Sequence, residues 1–426
     1  MTTTAPPGAA ALRRADRRAD RGARLEQAPA PSRRRVVLVL GALIALGPAT
    51  IDMYLPALPT LGEDLAATPA QVQLTLTGTL VGLGLGQLVL GPVSDAVGRR
   101  LPVLVGTAVH VVASLLCMVA PNVAVLGGLR LLQGLSAAAA AVVATAVVRD
   151  LYSGNTAAVV LSRLMLVLGV APVLAPTVGG ELLRLTDWRG VFGALAVLGA
   201  LLLLMAAKAL PETLPPSRRR TGGVLGTARA YRGLLRDRSY VGLVLVAGTA
   251  MAALFAYVSG SAFVLQDQYG LTEQQFGLVF GAGAVFLIAA TQLNVHLLDR
   301  TGPAQIMTGG LVVGVLASAA LLVVAATGGG LVPLLAALWT VLAAVGLVMP
   351  NAPALALARH ARAAGTAAAL LGALQFGVGA VAAPLVGVLG TDATAMGLVM
   401  LGGMVTALAL LLLVVRPVRR GVWISA

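Results

Sequence analysis

The chain has 426 residues, of which 58% are hydrophobic and only 11% are charged. The surface of a soluble domain needs about 25–35% charged residues, so this composition excludes a soluble protein and makes lipid the main solvent of the chain. The net charge is +14, and the arginines that supply it stand in short loops between apolar segments. We interpret them as determinants of membrane orientation and expect no nucleic-acid binding.

Residues 1–35 differ from the rest because they are rich in alanine, proline and arginine, with a few acidic residues interspersed. Such a composition cannot bury enough apolar surface to fold, so it predicts a disordered basic tail. No short apolar segment with a small-residue cleavage site precedes the first apolar run, and we expect no cleaved signal peptide. The tail is expected to lie near the anionic lipids of the inner leaflet.

Apolar runs long enough to cross a bilayer follow one another along the rest of the chain. A membrane-spanning helix needs about 20 residues to cross roughly 30 Å of hydrocarbon. Twelve such spans are predicted, and the one long polar connection separates the first six from the last six. The predicted spans are 36–59, 71–92, 101–120, 123–148, 157–180, 189–210, 240–265, 275–298, 304–326, 331–353, 364–389 and 394–415.

Positive charge is concentrated in the loops on one side of the predicted membrane. The loops after the even-numbered spans contain arginine, whereas those after the odd-numbered spans are acidic, neutral or of mixed sign. By the positive-inside rule, both termini are cytoplasmic. The arginine-rich, lysine-poor composition is typical of a GC-rich bacterial genome. We therefore predict a multi-pass protein of the bacterial plasma membrane, with cytoplasmic tails over 1–35 and 416–426, six-helix bundles over 36–210 and 240–415, and a cytoplasmic linker over 211–239.

The two groups of six spans share a short pattern. The loop after span two contains Asp95 and Gly98, and the loop after span eight contains Asp299 and Gly302. Transporters are often built from parallel six-helix repeats with the substrate site between them. The pattern therefore predicts an all-α membrane protein made of two pseudo-symmetric bundles.

The loop after span two reads Gly91-Pro92-Val93-Ser94-Asp95-Ala96-Val97-Gly98-Arg99-Arg100. Glycine and proline at its start are expected to end the span, and Asp95 can pair with an arginine. The segment is either a plain charged turn or a latch that holds the two bundles in one state and releases them in another. It resembles the G-x-L-x-D-R-x-G-R-[RK] loop of the major facilitator superfamily, from which it departs at Val93 and Ala96.

Asp52 and Arg130 are both ionisable residues within predicted apolar spans. Burying a charge in the membrane costs several kcal/mol by most estimates and marks a functional site by default. At about 1.5 Å per residue, both fall in the outer half of the membrane within about a turn of the same depth. A carboxyl held between burial and a neighbouring guanidinium can take up and release a proton. A static ion pair, or an Asp52 at the interface, is the alternative.

Longer matches accompany this pair. The segment Thr50-Ile51-Asp52-Met53-Tyr54-Leu55-Pro56-Ala57-Leu58-Pro59 resembles span one of the Bcr/CflA-type drug exporters, named after bicyclomycin and chloramphenicol resistance, and Arg130-Leu131-Leu132-Gln133-Gly134 resembles the R-x-x-Q-G pattern of their span four. The resemblance implies a major facilitator fold and implicates Asp52 and Arg130 in coupling protons to drug efflux. Some related exporters carry a second acid earlier in span one, where this chain has Leu43, Ile44 and Ala45.

Span five contains a segment rich in glycine and proline, from Gly169 through Pro172, Pro176 and Gly179 to Gly180. Glycine lets helices approach closely and proline bends them, so the span is either a pivot or an ordinary site of small-residue packing. The segment resembles the span-five antiporter motif, which is typical of exporters and usually absent from importers.

A few further side chains are candidates for an apolar drug cavity, although most of them would serve equally well in packing. We single out Met53, Tyr54, Gln133, Tyr257 and Gln375. His110 in span three is interpreted as a hydrogen-bonded helix contact in preference to a proton relay. The polar residues of the second half at membrane depth, Gln292, Asn294 and Asn351, are interpreted as interhelical hydrogen-bond partners.

No cofactor, metal site or enzymatic activity is expected. Cys117 is the single cysteine and the three histidines are far apart, which gives no metal-ligand spacing. The sequence has no phosphate-binding glycine loop. We predict a monomeric exporter of small amphipathic drugs that works by proton antiport with alternating access. The alternatives are a transporter of a small metabolite, a passive facilitator or channel, and a membrane receptor.

Overall fold

The computed structural model describes residues 33–219, 224–360 and 363–415. The predicted C-terminal tail and residues 1–32 of the predicted N-terminal tail lie outside these ranges. Twelve helices of the described chain are long and apolar enough to cross a membrane, which confirms the predicted all-α class and number of spans. Large apolar side chains such as Leu201, Leu316 and Val381 are exposed on the outside of the molecule, where lipid would solvate them.

The spans are labelled α1 to α12 in chain order. They are α1 Val37–Asp64, α2 Pro69–Val97, α3 Arg100–Met118, α4 Val123–Leu151, α5 Gly154–Leu182, α6 Trp188–Ala209, α7 Arg238–Gln268, α8 Glu273–Leu298, α9 Pro303–Ala326, α10 Leu331–Ala358, α11 Ala364–Leu389 and α12 Ala393–Val415. A further helix, the linker helix Val224–Leu235, lies within the connection between α6 and α7.

The expectation that Gly91 and Pro92 end the second span is wrong. Pro92 lies inside α2, which continues to Val97 and ends at Gly98 with a φ of +106°. Proline removes one backbone donor, and a long helix can absorb that loss when its neighbours hold it. The conformation that ends the helix is one that glycine alone adopts without strain.

Helix α1 is interrupted directly after Asp52. Its first part, Arg33–Asp52, is followed by a 3₁₀ turn at Leu55–Ala57 and a short helix at Leu58–Asp64. The interruption follows from Pro56 and Pro59, which have no backbone N–H to donate to the preceding turn. The last carbonyl groups before the interruption are therefore free to accept hydrogen bonds from other helices.

The two halves pack in the same way. The most extensively packed pairs in the first half are α1–α4, α1–α5, α1–α6, α2–α4, α3–α4 and α3–α6, and in the second half they are α7–α10, α7–α11, α7–α12, α8–α10, α9–α10 and α9–α12. Each pair of the second list lies six helices after a pair of the first. The main contacts between the halves, α2–α11 and α5–α8, exchange under the same operation. The helices are therefore arranged with two-fold pseudo-symmetry.

The corner between α1 and α2 recurs between α7 and α8. Thr68 and Thr272 cap α2 and α8, each in a reciprocal hydrogen-bonded pair with a glutamine, Gln71 or Gln275. Two residues before each cap, the backbone takes a positive φ, +47° at Ala66 and +71° at the glycine of the second corner. All three positions, like the two Asp–Gly loops, are repeated with an offset of 204 residues.

Asp237 caps the N-terminus of α7. Its Oδ1 accepts the N–H groups of Ser239 and Tyr240, at 2.9 and 3.4 Å, and its Oδ2 lies 3.1 Å from Nε2 of His360. Burial works to raise the pKa of Asp237, but the two backbone N–H groups and His360 outweigh it and hold that pKa below its ordinary value.

We expect Asp237→Ala to lower the free energy of unfolding by about 1 kcal/mol, because two N–H groups lose their acceptor. Asp237→Asn keeps the cap and should lose less. Thermal unfolding of the purified protein in detergent measures both variants. Because the pKa of Asp237 is lowered by folding, its contribution to stability is complete above the unfolded value near pH 3.9 and should be lost as the pH falls from there through the folded-state pKa. Equal losses in the two variants would contradict the capping role.

Candidate transport site

A cavity of about 1010 Å³ opens between the two halves, at the end of the molecule that carries the linker. Helices α2, α4 and α5 line it from one half and α11 lines it from the other. Its wall is mostly apolar, with several charged residues near the opening. The lining includes Ile44, Gln87, Pro92, Asp95, Arg99, Val142, Thr145, Arg149, Asp150, Met165, Leu168, Arg219, Tyr231, Thr366 and Ala369.

At the opposite end, the halves are held together on one flank by the side chain of Gln73. This glutamine of α2 is fully buried. Its Nε2 donates to the carbonyl of Ser259 in α7 at 3.2 Å, and its Oε1 accepts the N–H of Gly387 in α11 at 2.8 Å. One turn further along α2, the hydroxyl of Thr77 donates to the carbonyl of Ala380 at 2.9 Å. Polar contacts therefore close this flank.

The other flank is closed by glycines of α5 and α8. A Cβ at Gly180 would lie 2.6 Å from the carbonyl oxygen of Glu273, and one at Gly277 would lie 2.8 Å from that of Pro176. These separations are shorter than real Cβ atoms show, so the two backbones meet only because side chains are missing. The amide of Gln274 also donates to the carbonyl of Gly180 at 2.9 Å.

The antiporter-like segment of α5 lies at the junction of three helices. Gly180 faces α8, whereas a Cβ at Gly179 would overlap the carbonyl oxygen of Met53, next to Asp52 in α1. Gly169 lies nearer the N-terminus of α5. A Cβ at this position would have room, because its nearest neighbour, Ile288, would be 3.6 Å away. Pro172 and Pro176 both lie inside α5, which is helical from Gly154 to Leu182.

Arg130 of α4 is fully buried. Its Nη1 donates to the carbonyl of Thr50 at 2.8 Å, in the last turn before the interruption of α1, and to Oε1 of Gln133 at 2.9 Å. The guanidinium carbon lies 3.9 Å from the ring centre of Tyr54 and 5.6 Å from that of Phe192. The remaining nitrogens, Nε and Nη2, have no hydrogen-bond partner among the described residues.

Asp52 ends the first part of α1 and is only 5% exposed. The structure thus buries it inside the protein, away from the lipid-facing surface. Arg130 donates to the carbonyl of Thr50, two residues before Asp52. The two side chains nevertheless form no ion pair within 4.0 Å, and within the described ranges the carboxyl accepts no hydrogen bond. Asp52 and Arg130 therefore lie in the same interior region, but within the described chain no hydrogen bond or ion pair links their side chains.

A buried chain of polar side chains, which we call the Arg130 network, surrounds Arg130. Its members are Thr50 of α1, His110 and Ser114 of α3, and Arg130 and Gln133 of α4, all of them fully buried. Nε2 of His110 lies 2.8 Å from the hydroxyl of Thr50, and Nε2 of Gln133 donates to the hydroxyl of Ser114 at 2.7 Å. Thr50 and Ser114 were not predicted as site residues, because small hydroxyl residues are frequent in spans and give little indication by themselves.

The predicted substrate residues are not among those that line the cavity. Tyr54 and Gln133 contact Arg130, Met53 is buried, and Tyr257 is buried with its ring 4.7 Å from that of Phe280. Gln375 of α11 is half-buried. In the described part of the chain, none of the five is among the residues that line the cavity. Gln87, which does line it, was not selected from the sequence.

The loop between α2 and α3 forms a charged cluster at the edge of the cavity. Arg99 donates from Nη1 to Asp95 at 2.7 Å and from Nε to Asp150 of α4 at 2.9 Å. Glu212, at the start of the linker, accepts the backbone N–H groups of Arg99 and Arg100 at 2.8 and 3.3 Å. The cluster therefore joins α2, α4 and the linker. Gly91 also lines the cavity.

The loop has no room for a side chain at its glycine. A Cβ at Gly98 would overlap the carboxylate of Glu212. This glycine is therefore required both for its backbone conformation and for the space that the linker's carboxylate occupies. The role of Glu212 was not predicted, because its partners are backbone groups more than 110 residues earlier in the chain.

Two pseudo-symmetric helical halves with a cavity between them define a membrane transporter of the two-bundle type. The sequence pattern of the Major Facilitator Superfamily matches residues 37–384. The chain therefore belongs to this superfamily of transporters, and the expected absence of an enzymatic role agrees with that membership. Solved structures agree on the fold: the xylose transporter XylE from E. coli, in a partially occluded inward-open conformation, has a TM-score of 0.70 at 13% identity over 90% of this chain and 98% of its own.

Proteins with similar sequences indicate which transporters of the superfamily this chain resembles. The chain is 37% identical over 367 residues to the MFS-type transporter YdgK of Bacillus subtilis, covering 86% of this chain and 91% of that protein. It is 31% identical to a bicyclomycin resistance protein homolog of Haemophilus influenzae, covering 87% and 93%. It is 30% identical to the multidrug resistance protein MdtL of Escherichia fergusonii, covering 59% and 63%. These findings confirm the resemblance to Bcr/CflA-type drug transporters.

Proposed function

We propose that this protein exports small amphipathic drugs by proton antiport with alternating access. The observation that carries the proposal is the cavity, which opens at the linker end while the opposite end is closed by Gln73 and the glycines of α5 and α8. A site open to one side at a time is what alternating access requires. The names of the relatives from Haemophilus influenzae and Escherichia fergusonii support a drug as substrate.

Asp52 and Arg130 are the groups proposed to couple protons to transport. An acid that is buried but not hydrogen-bonded can be neutral or charged without breaking a fixed contact, and Arg130 keeps Nε and Nη2 available for its charged form. When the cavity faces out, Asp52 takes up a proton and the drug leaves. When the cavity faces in, drug entry and proton release are coupled, so the gradient drives export only through the different affinities of the two states.

The same proposal fixes the orientation. If the arginine-rich loops lie in the cytoplasm, the linker end is cytoplasmic, and the cavity described above faces the cytoplasm. The protein then works as a monomer in the bacterial plasma membrane, since each chain contains both bundles and the site between them. Asp95, Gly98, Arg99 and Arg100 would hold the cytoplasmic edge of the first bundle while the second moves.

Transport into everted membrane vesicles tests the proposal. An imposed gradient of one pH unit, acid inside, supplies about 1.4 kcal/mol per proton, enough for up to about tenfold accumulation of a neutral drug per proton exchanged. We expect a labelled neutral amphipathic drug to accumulate and to leave when an ionophore abolishes the gradient. Uptake that ignores the gradient would indicate a passive facilitator, and accumulation of a small metabolite in place of drugs would indicate a metabolite transporter.

The closed flank at Gln73 gives a separate test of alternating access. We expect Gln73→Leu to favour opening of that end, because the carbonyl of Ser259 and the N–H of Gly387 are left unpaired when it closes, at a cost of about 1–3 kcal/mol. Such a cost shifts the two populations about 5- to 150-fold.

The readout is maleimide labelling of Thr145→Cys, a residue of the cavity wall, in a Cys117→Ser background. Its labelling rate should fall in Gln73→Leu. The control is Gln292→Leu. Gln292 was expected from its sequence position to be an interhelical partner, but its side chain is exposed on α8, so the substitution should leave the rate unchanged. An unchanged rate in Gln73→Leu would show that this side chain does not hold the flank closed.

A further inference from the structure

The Arg130 network contains a histidine that the proposed mechanism does not use. His110 is fully buried in α3, and it contacts both ends of the network. Its Nε2 lies 2.8 Å from Oγ1 of Thr50, and its Nδ1 lies 3.4 Å from Oγ of Ser114. The contacts with Arg130 and Gln133 close these links into a ring that joins α1, α3 and α4.

Hydrogen-bond donors assign a direction to the ring. The hydroxyl of Thr50 is 2.6 Å from the carbonyl of Leu46, and that of Ser114 is 2.7 Å from the carbonyl of His110. With both hydroxyl protons given to backbone carbonyls, the oxygens accept from their other neighbours. His110 therefore donates from Nε2 to Thr50, and Gln133 donates to Ser114. Nδ1 of the neutral imidazole then has no proton, so its 3.4 Å approach to Ser114 is a packing contact and not a hydrogen bond.

Thr50 is the residue through which the ring reaches both coupling groups. It stands two residues before Asp52 in the last turn of the helix, and its carbonyl accepts from Nη1 of Arg130. Its hydroxyl is held by His110. The second acceptor of Nη1, Gln133, is held by Ser114. Nη1 of Arg130 thus donates to two acceptors that the ring holds in place, while Nε and Nη2 have no hydrogen-bond partner in the described part of the chain.

We propose that His110 is a positioning residue for proton coupling: through Thr50 it holds the turn that carries Asp52 in place against Arg130. This inference rests on the proposed coupling by Asp52 and Arg130. His110 itself carries no proton between the two sides. Its imidazole fixes the separation between an acid and a guanidinium that lie close together but do not pair.

The test compares gradient-driven uptake with drug counterflow in the same everted vesicles, using a labelled neutral drug that the wild type accumulates. Counterflow exchanges drug for drug and needs no net proton movement. His110→Leu should lose at least about tenfold of the rate of gradient-driven uptake and keep counterflow within about twofold. His110→Gln, whose amide can still donate to Thr50, should restore part of the gradient-driven uptake.

Controls separate coupling from folding. Asn351→Leu breaks the buried contact between Asn351 and Asn294 in the other half, so it should change uptake and counterflow in parallel. If His110→Leu does not reach the membrane, Ser114→Ala breaks the ring at its other side and should show the same selective loss. Normal gradient-driven uptake in these variants, or equal loss of both activities, would overturn the role of His110. A wild type that ignores the gradient would overturn the proposed antiport, and the inference with it.

Discussion

Asp52→Asn should abolish gradient-driven accumulation and leave the protein folded. Asparagine has nearly the same shape but cannot take up a proton, so the drug distribution in vesicles should reach equality on both sides. For one proton per drug and a gradient of one pH unit, the loss is up to about tenfold in accumulation. Because the carboxyl of Asp52 accepts no hydrogen bond from a described residue, the substitution removes no contact that the fold needs.

Counterflow provides the contrast for this variant. If Asp52 acts only in coupling, drug exchange should continue in Asp52→Asn at a rate near that of the wild type. The matched control is Glu63→Gln, which neutralises an exposed carboxyl on the same helix and should not affect accumulation. Accumulation by Asp52→Asn equal to that of the wild type would remove this residue from the mechanism and leave the driving force unassigned.

Gly180→Ala should nearly stop the transport cycle by preventing the end opposite the linker from closing. The new methyl group would lie 2.6 Å from the carbonyl oxygen of Glu273 in the opposite half, and overpacking of this kind costs about 1–3 kcal/mol. Under the proposed alternating access, α5 and α8 separate at this point when this end opens, so the cost falls only on the conformation in which it is closed. A shift of about 5- to 150-fold towards the outward-open state follows.

Two measurements check this expectation. Gradient-driven uptake should fall together with maleimide labelling of Thr145→Cys from the linker side. Gly169→Ala serves as the control from the same segment, because its methyl group would meet only Ile288 at an ordinary distance of 3.6 Å. Equal effects of the two substitutions would mean that flexibility of α5, and not the close approach of the two halves, explains the glycines of this segment.

The sequence predicts the fold well because each span carries its own evidence. Length and hydropathy identify the twelve helices, and the alternation of basic loops gives an even number. The ends of helices are predicted less well: α2 passes through Pro92, since a proline stops a helix only where neighbouring helices do not compensate for the missing donor. Linker residues such as Glu212 are missed because their partners are backbone groups far away in the chain.

The candidate site is only partly accessible from the sequence. A charge inside an apolar run is unusual, so Asp52 and Arg130 are selected, and the depth estimate puts them near each other. Which polar residues join them depends on how α1, α3 and α4 are rotated, and one sequence does not contain that information. Gln73 illustrates the same limit, because an amide five residues into a helix is unremarkable until its partners in α7 and α11 are known.

The repeated corners at Thr68 and Thr272 indicate that the halves descend from one ancestral segment. The two halves nevertheless differ in which ionisable residues they bury. The buried charges of the described interior, Asp52, Arg99 and Arg130, all belong to the first copy, and its counterpart retains only neutral polar groups such as the Asn294–Asn351 pair. The described interior of the second half therefore contains no buried charged side chain. Under the proposed mechanism, the part of the cavity wall formed by α11 can vary without changing Asp52 and Arg130, the residues proposed to couple protons to transport.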